Sequence, residues 1–457
     1  MNRLRGMIIG FIFTASLALS QGSLTPPGAP GPTMKTLDQI EPRTPIEALP
    51  AVIGEPGSYY LRTNLTATGF TGGQAGITIR ANNVTLDLRG FALTGVPEAG
   101  DGIVVDGPHS NLWVEGGSIE AWGRSGINAT TATASVFAQV RLSANGQWGL
   151  DAGERATVRS VTALGNGSGG EGGIRAGYHG LVQDCHASLN RGWGIDAEAG
   201  GTVRDCVAMN NEGVGIESRD ASTVSGCTAR DNGESGIRGG ANATIRGCAV
   251  TANGGPGIES GDAALVADCA AVSSERGIVV GEGSSVQTCT ARSNLGNGIV
   301  AGVNATVSGC ASSLNGGYGI GAGVGSAITR CTARDNGTEG IYSGTASMIS
   351  DCVAHYNAVG ISVPNNCYVL NNNSHGNSGD GIAVTLTHNR VDGNHVTENA
   401  GWGIAMPDGA NLMVRNSARD NTSGNYTNGV GNTVGEIRDY SGGGTLTNDN
   451  PWVNFAF

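Results

Sequence analysis

Between Cys185 and Cys352 the pattern of apolar and polar positions repeats every 21 residues, with a single step of 20. Nine cysteines, at 185, 206, 227, 248, 269, 289, 310, 331 and 352, mark the period. Five residues after each stands an asparagine (Asn190, Asn211, Asn232, Asn253, Asn294, Asn315, Asn336, Asn357), with Ser274 the exception. Ten residues after most of them comes the isoleucine of a Gly-Ile pair, as in Gly194-Ile195 and Gly215-Ile216. A period this strict means one supersecondary unit stacked on itself, because only in-register stacking gives one residue type the same environment in every repeat.

Within a repeat the alternation predicts three short strands. From Gly236 to Gly257, Ile237 points in, Arg238 out and Gly239 in, and Gly240-Ala241-Asn242 turns. Thr244-Ile245-Arg246 is the second strand, Gly247 a corner, and Cys248-Ala249-Val250 the third strand. The corner holds Asp or Gly in most repeats (Asp184, Asp205, Gly226, Asp268, Gly309, Asp351), residue types that tolerate left-handed backbone angles. Counted from Ile77 to Ile404, the Gly-Ile column gives about sixteen coils. The fold class predicted is all-β, a parallel solenoid, with a rod of roughly 70–80 Å at the interstrand spacing.

The inward cysteine column continues as Val140 and Val161 before it and as Asn372, Asn394 and Asn416 after it. Buried amides are costly unless satisfied, and stacked amides satisfy one another, so both asparagine columns read as structural. Stacked cysteines point the same way with Cβ atoms too far apart for a bridge, which predicts free thiols acting as small hydrophobes. Cys367 stands off the register and is the candidate for an exposed thiol.

The ends read differently. Residues 1–20 resemble a signal peptide, with Arg3 and Arg5, an apolar run from Met7 to Leu19, and Ala18-Leu19-Ser20 at the cleavage point. The run is too short for a membrane span, so no transmembrane segment is expected after its removal. A Pro-rich linker over 21–50, an N-terminal cap over 51–75, the solenoid over 76–422 and a C-terminal cap or tail over 423–457 complete the division. The expected destination is secreted, periplasmic or cell-surface. Glycine (78 of 457 residues) falls in register with the apolar positions and therefore marks repeat turns, not disorder. Net charge is −12 with no basic block, which argues against nucleic acid as a partner.

The coil plan, the Gly-Ile starts, the asparagine ladder and the segment Val84-Thr85-Leu86-Asp87-Leu88-Arg89-Gly90 resemble the secreted bacterial right-handed β-helix repeat proteins of the pectin-lyase-like superfamily. That resemblance implies a right-handed parallel β-helix and extends over about 51–422. A repeat of 21 also departs from the 18 of left-handed hexapeptide helices. Enzymes of the superfamily include lyases, hydrolases and epimerases of polysaccharides. No Gly-Asp-Asp, Gly-His-Gly or Asp-Pro-His stands here, and Ser374-His375-Gly376 matches none of their patterns. No catalytic residue is carried over.

One outward column remains as a candidate carbohydrate-binding face. The residue after each Gly-Ile (or Gly-Leu) pair reads Asp151, Arg175, Asp196, Glu217, Arg238, Glu259, and just before the glycine stand Trp148 and Trp193, with Tyr318 and Trp402 further on. Two coils apart, the tryptophans would lie ~10 Å from each other, the span of about two sugar units. Aromatic faces stack on sugars, while carboxylates and arginines hydrogen-bond hydroxyls or bind uronates. The plainer reading is that the opposite charges pair and keep the rod soluble. Calcium would suit Asp151, Asp196 and Glu217, but arginines interleave them and no calcium-loop motif is present, so no cofactor is expected. The remaining histidines form no metal-ligand cluster.

Three functions fit. The first is an exported rod that binds extracellular or cell-surface polysaccharide. The second is a polysaccharide lyase or related enzyme on acidic glycans. The third is a structural or adhesive fibre. Whether the chain is an enzyme, and its oligomeric state, stay open at this point.

Overall fold

The computed structural model describes residues 43–443, 445 and 450–457; the signal-like leader and the Pro-rich stretch as far as residue 42 lie outside them. The unit Thr44–Phe457 is a stack of short parallel strands in three ladders. The first ladder holds 18 strands from Ala51–Ile53 to Gly424–Asn428, which bound 17 turns. The Gly-Ile column supplies the strands between these two, so the parallel β-helix expected from the period is the fold observed. The strands at either end join in the same parallel register, Ala51 opposite Ile77 and Tyr426 opposite Ile404. Thr44–Ile46 also pairs, with Gly57–Leu61 in the second ladder, so regular structure begins within the stretch read as linker.

Ile77, Ile103, Ile127 and their successors to Ile404 are fully buried, and so are Val182, Val203, Val224 and Ile245 from the second ladder. No repeat can bury these residues alone; each coil's core is completed by its two neighbours. The corner before the cysteine column is left-handed as its Asp and Gly content predicts: φ is 53° at Asp184, 54° at Asp205 and 62° at Gly226.

All ten cysteines are buried and free. The column is also a hydrogen-bond ladder. Cys185 N–H donates to Cys206 Sγ at 3.4 Å and Cys331 N–H to Cys352 Sγ at 3.4 Å, while each thiol lies near a carbonyl, as Cys206 Sγ does to Arg204 O at 3.1 Å. Cys367 is not exposed. At 1% exposure it heads the strand Tyr368–Leu370, in register with Ser347 before it and Asn389 after it, and its N–H donates to Asn389 Oδ1 at 2.8 Å. It belongs to a different inward column, of small residues, which the cysteine period does not reveal.

The chain returns to the stack at its end. Asn454–Ala456 inserts between Ser417–Arg419 and Ile437–Asp439, so a strand late in sequence sits inside one that precedes it. Asn454 thereby prolongs the amide column: its Oδ1 accepts from Asn416 N–H at 3.0 Å and Asn416 Nδ2 at 3.1 Å. Phe455 and Phe457 pack against Tyr440 with ring centroids 6.2 Å away in each case.

Candidate functional site

Consecutive strands of the first ladder set Asp151 opposite Arg175, Arg175 opposite Asp196, Asp196 opposite Glu217, Glu217 opposite Arg238 and Arg238 opposite Glu259. All six candidate charged residues therefore meet on one outer face. They fall into two groups. Arg175 is the hub of the first, 2.8 Å from Glu198, 3.6 Å from Asp196 and 3.9 Å from Asp151. Arg219 adds contacts of 3.1 Å to Glu198 and 3.8 Å to Asp196. Arg238 is the hub of the second, 3.2 Å from Glu234, 3.3 Å from Glu259 and 3.5 Å from Glu217.

Between these hubs lies a shallow cleft of about 450 Å³, lined by Tyr178, Glu198, Glu217, Arg219 and Arg238 among others. Tyr178 is 57% exposed at its rim. Burial pushes the Asp196 carboxyl up to about 6 against the pull of Arg219 and Arg175. Burial does the same to Asp151, also up to about 6, against the pull of Arg175. Asp196 is 3% exposed, and its Oδ1 is buried without a hydrogen-bond partner. For Arg175, burial opposes the charge, but the hydrogen bond it donates to Glu198 and the charges of Asp151 and Asp196 outweigh it and raise its pKa. Arg238 is raised in the same way by Glu217 and Glu259.

The tryptophans do not form the spaced platform that two coils of separation implies. Trp148 and Trp193 stack on each other, centroids 6.0 Å apart and planes at 16°. The coil between them carries Gly172, whose missing side chain lets both rings close over it; a Cβ there would meet Trp148 at 2.8 Å. Trp148 is left 7% exposed, and Trp193 spends its N–H on Glu217 Oε2 at 2.7 Å. Glu198, Arg219, Glu234 and Tyr178 were not singled out from the sequence. A signal for two of them existed. Three residues past the Leu or Ile of each pair, the coils from Leu150 to Ile258 read Gly153, Gly177, Glu198, Arg219, Gly240, Gly261, so within this run charge appears only where the cleft is. Among the described residues no group of three His, Cys, Asp or Glu side chains is arranged to hold a metal ion.

The family described as right handed beta helix region matches residues 75–238, 236–348 and 300–436. The chain belongs to the right-handed β-helix family. No curated protein matches it in sequence. Solved structures similar to this β-helix include the A-module of the Azotobacter vinelandii mannuronan C-5 epimerase AlgE4, at 17% identity over 83% of this chain and 91% of that chain, TM-score 0.27. The Dettilon tailspike protein is similar at 14% identity over 76% of this chain and 62% of that chain, TM-score 0.29. Pectate lyase Pel9A is similar at 17% identity over 67% of this chain and 70% of that chain, TM-score 0.23. At these values neither the activity nor the ligand of any of them transfers to this β-helix.

Proposed function

We propose that the chain is an exported β-helix rod that binds an extracellular polysaccharide along the outer face of the first ladder, in the cleft between Arg175 and Arg238, without turning it over. The observation that carries this is the composition of the cleft. Three carboxylates (Glu198, Glu217, Asp220) and two arginines (Arg219, Arg238) line it, four further carboxylates (Asp151, Asp196, Glu234, Glu259) pair beside it with these arginines or with Arg175, and an exposed tyrosine, Tyr178, stands at the rim. A surplus of hydrogen-bond acceptors beside an aromatic face suits a neutral, hydroxyl-rich chain better than a polyanion.

The same pairing weighs against an arginine-based lyase. A lyase base must give up its own proton to receive the substrate's, and here each arginine touches two or three carboxylates. Affinity electrophoresis in gels containing neutral or uronate polysaccharides tests the proposal. Retardation by a neutral polysaccharide, lost in Tyr178→Ala with unchanged circular dichroism, supports it. Retardation by no neutral polysaccharide, or neutral-polysaccharide retardation that Tyr178→Ala leaves intact, contradicts it.

A further inference from the structure

A second charged cluster lies on the second ladder, toward its C-terminal end, and plays no part in the face described above. The strands Tyr368–Leu370, Arg390–Asp392 and Leu412–Val414 are neighbours there, with Tyr368, Arg390 and Leu412 in one outward row and Leu370, Asp392 and Val414 in the next. Arg415 follows at the left-handed corner, φ 59°.

Asp392 is 3% exposed because two guanidiniums close over it. Arg390 donates from Nε at 3.0 Å and Nη2 at 2.7 Å to Oδ2. Arg415 donates from Nε to Oδ1 at 2.6 Å and from Nη2 to Oδ2 at 2.6 Å. Burial pushes this carboxyl up, but the hydrogen bonds and charges of Arg415 and Arg390 outweigh it and hold it below its ordinary value. It therefore stays charged and acts as a fixed clamp between the two arginines.

The arithmetic of the cluster is unusual for this chain. One arginine would neutralise Asp392; the second leaves a local excess of one positive charge on a protein of net charge −12. Each guanidinium has five N–H donors, of which the clamp uses two, so both keep donors for another acceptor. Two adjoining clefts of about 340 and 520 Å³ open here and share Tyr368 and Arg390 as their common wall. The first is lined by Arg390, Asp392 and Arg415, the second by His388, Leu412 and Thr433. Tyr368 is 54% exposed, and Arg415 lies 5.7 Å from the ring of Trp452, itself 50% exposed.

We infer that this cluster binds a monoanionic oxyanion (a carboxylate, sulfate ester or phosphodiester) carried on a polymer, with Tyr368 packed against the unit that bears the charge. The net charge of the clamp matches a single negative charge. Guanidinium forks read oxyanions bidentately, and Asp392 holds both forks before the ligand arrives, which lowers the ordering cost of binding. The second cleft, lined beside the shared Arg390 by uncharged residues such as Leu412 and Thr433, takes the neighbouring unit of the polymer.

The test uses the full chain in affinity electrophoresis and fluorescence titration against dextran sulfate, polygalacturonate and poly(glycerol phosphate), with uncharged dextran as control. At least one charged polymer is expected to bind at physiological ionic strength, and which one identifies the carrier of the oxyanion. Arg390→Gln leaves the Arg415–Asp392 pair in place and is expected to weaken binding about tenfold or more. Tyr368→Ala, which touches neither Asp392 nor the core, is expected to weaken it comparably and decides the matter alone should Arg390→Gln unfold. Binding by none of the three polymers, or charged-polymer binding that neither variant weakens, overturns the inference. Tyr178→Ala at the first cleft is expected to leave this binding unchanged, which separates the two sites.

Discussion

Asn211 gives two hydrogen bonds to one oxygen of Asn232: its backbone N–H reaches Oδ1 at 3.1 Å and its side-chain Nδ2 reaches the same atom at 3.0 Å. Asn232 repeats the pattern on Asn253 at 3.1 and 3.0 Å, and donates backward to Ala208 O at 3.2 Å. Every buried amide in the column is thus donor and acceptor at once, which is why asparagine can occupy a position with 2% exposure.

Removing one rung leaves two donors of the preceding coil unsatisfied. Asn232→Ala is expected to cost about 2–4 kcal/mol, read as a lower denaturant midpoint. Asn232→Ser is expected to cost less, because the chain already tolerates serine once: Asn253 N–H donates to Ser274 Oγ at 3.3 Å. Equal losses for the two variants would mean that the amide column contributes through volume, not hydrogen bonding.

The thiol column predicts chemical silence. Thiol-to-thiol hydrogen bonds push some members up, Cys206 and Cys227 to about 12, and push Cys185, Cys269 and Cys331 down, but all ten cysteines are at most 3% exposed, so lack of access keeps them silent. Thiol reagents need the thiolate and access to it. The native protein is expected to show no reactive thiol, and the denatured protein all ten. A thiol titrated in the native state would contradict the packing at that position.

Asp151 and Asp196 predict a pH dependence of stability. Both rise from the ordinary 3.8 to about 6, so the folded chain binds more protons than the unfolded one between those values. Their contribution is present at about pH 4 and is lost as pH rises through about 6, by up to roughly 3 kcal/mol per group and less in sum because Arg175 is shared. Asp196→Asn is expected to flatten this decline, measured as denaturant midpoints at acidic and neutral pH. A variant with the same slope as the parent would contradict the assignment.

Two backbone substitutions of opposite sign test the coil geometry. At Gly233 a Cβ would collide with the Glu212 carbonyl of the preceding coil, so Gly233→Ala is expected to cost about 3 kcal/mol or more. Ala252 holds φ 55°, a conformation that costs a non-glycine residue roughly 1 kcal/mol, so Ala252→Gly is expected to be neutral or stabilising by about 0.5–1 kcal/mol. Chemical denaturation of both variants measures the contrast.

Much of this architecture was legible because stacking turns each inward position into a column of like residues. The Gly-Ile, cysteine and asparagine columns sit where their spacing puts them. The left-handed corners were legible in some places and not in others. The corner holding Asp184 and Asp205 uses residues suited to such angles, whereas Leu189 (φ 56°), Ala252 (φ 55°) and Tyr356 (φ 58°) carry no such sign. Those residues are held by the neighbouring coil, as when Leu189 N–H donates to Met209 O at 3.2 Å, and that contact is tertiary. The charged face was legible as a row, because a row follows from the period. Its depth was not: whether Trp148 and Trp193 stand apart or stack depends on Gly172 between them, and Glu198 and Arg219 reach the cleft from the edge of the strands.

The buried Trp148 also changes which substitutions probe the face. Trp148→Ala is expected to destabilise by about 3 kcal/mol or more, as for other buried aromatics, and so confounds folding with binding. Tyr178 and Arg219 are exposed enough to be replaced without that cost.

The most direct measurement is a glycan-array and polysaccharide-degradation screen of the parent protein beside a Tyr178→Ala, Arg219→Ala double variant, with reducing ends and the ultraviolet absorbance of unsaturated uronates followed together. The account predicts binding of a neutral polysaccharide by the parent, its loss in a double variant with unchanged circular dichroism, and no product from either. Product formation, or equal binding of the neutral polysaccharide by the two proteins, would contradict it.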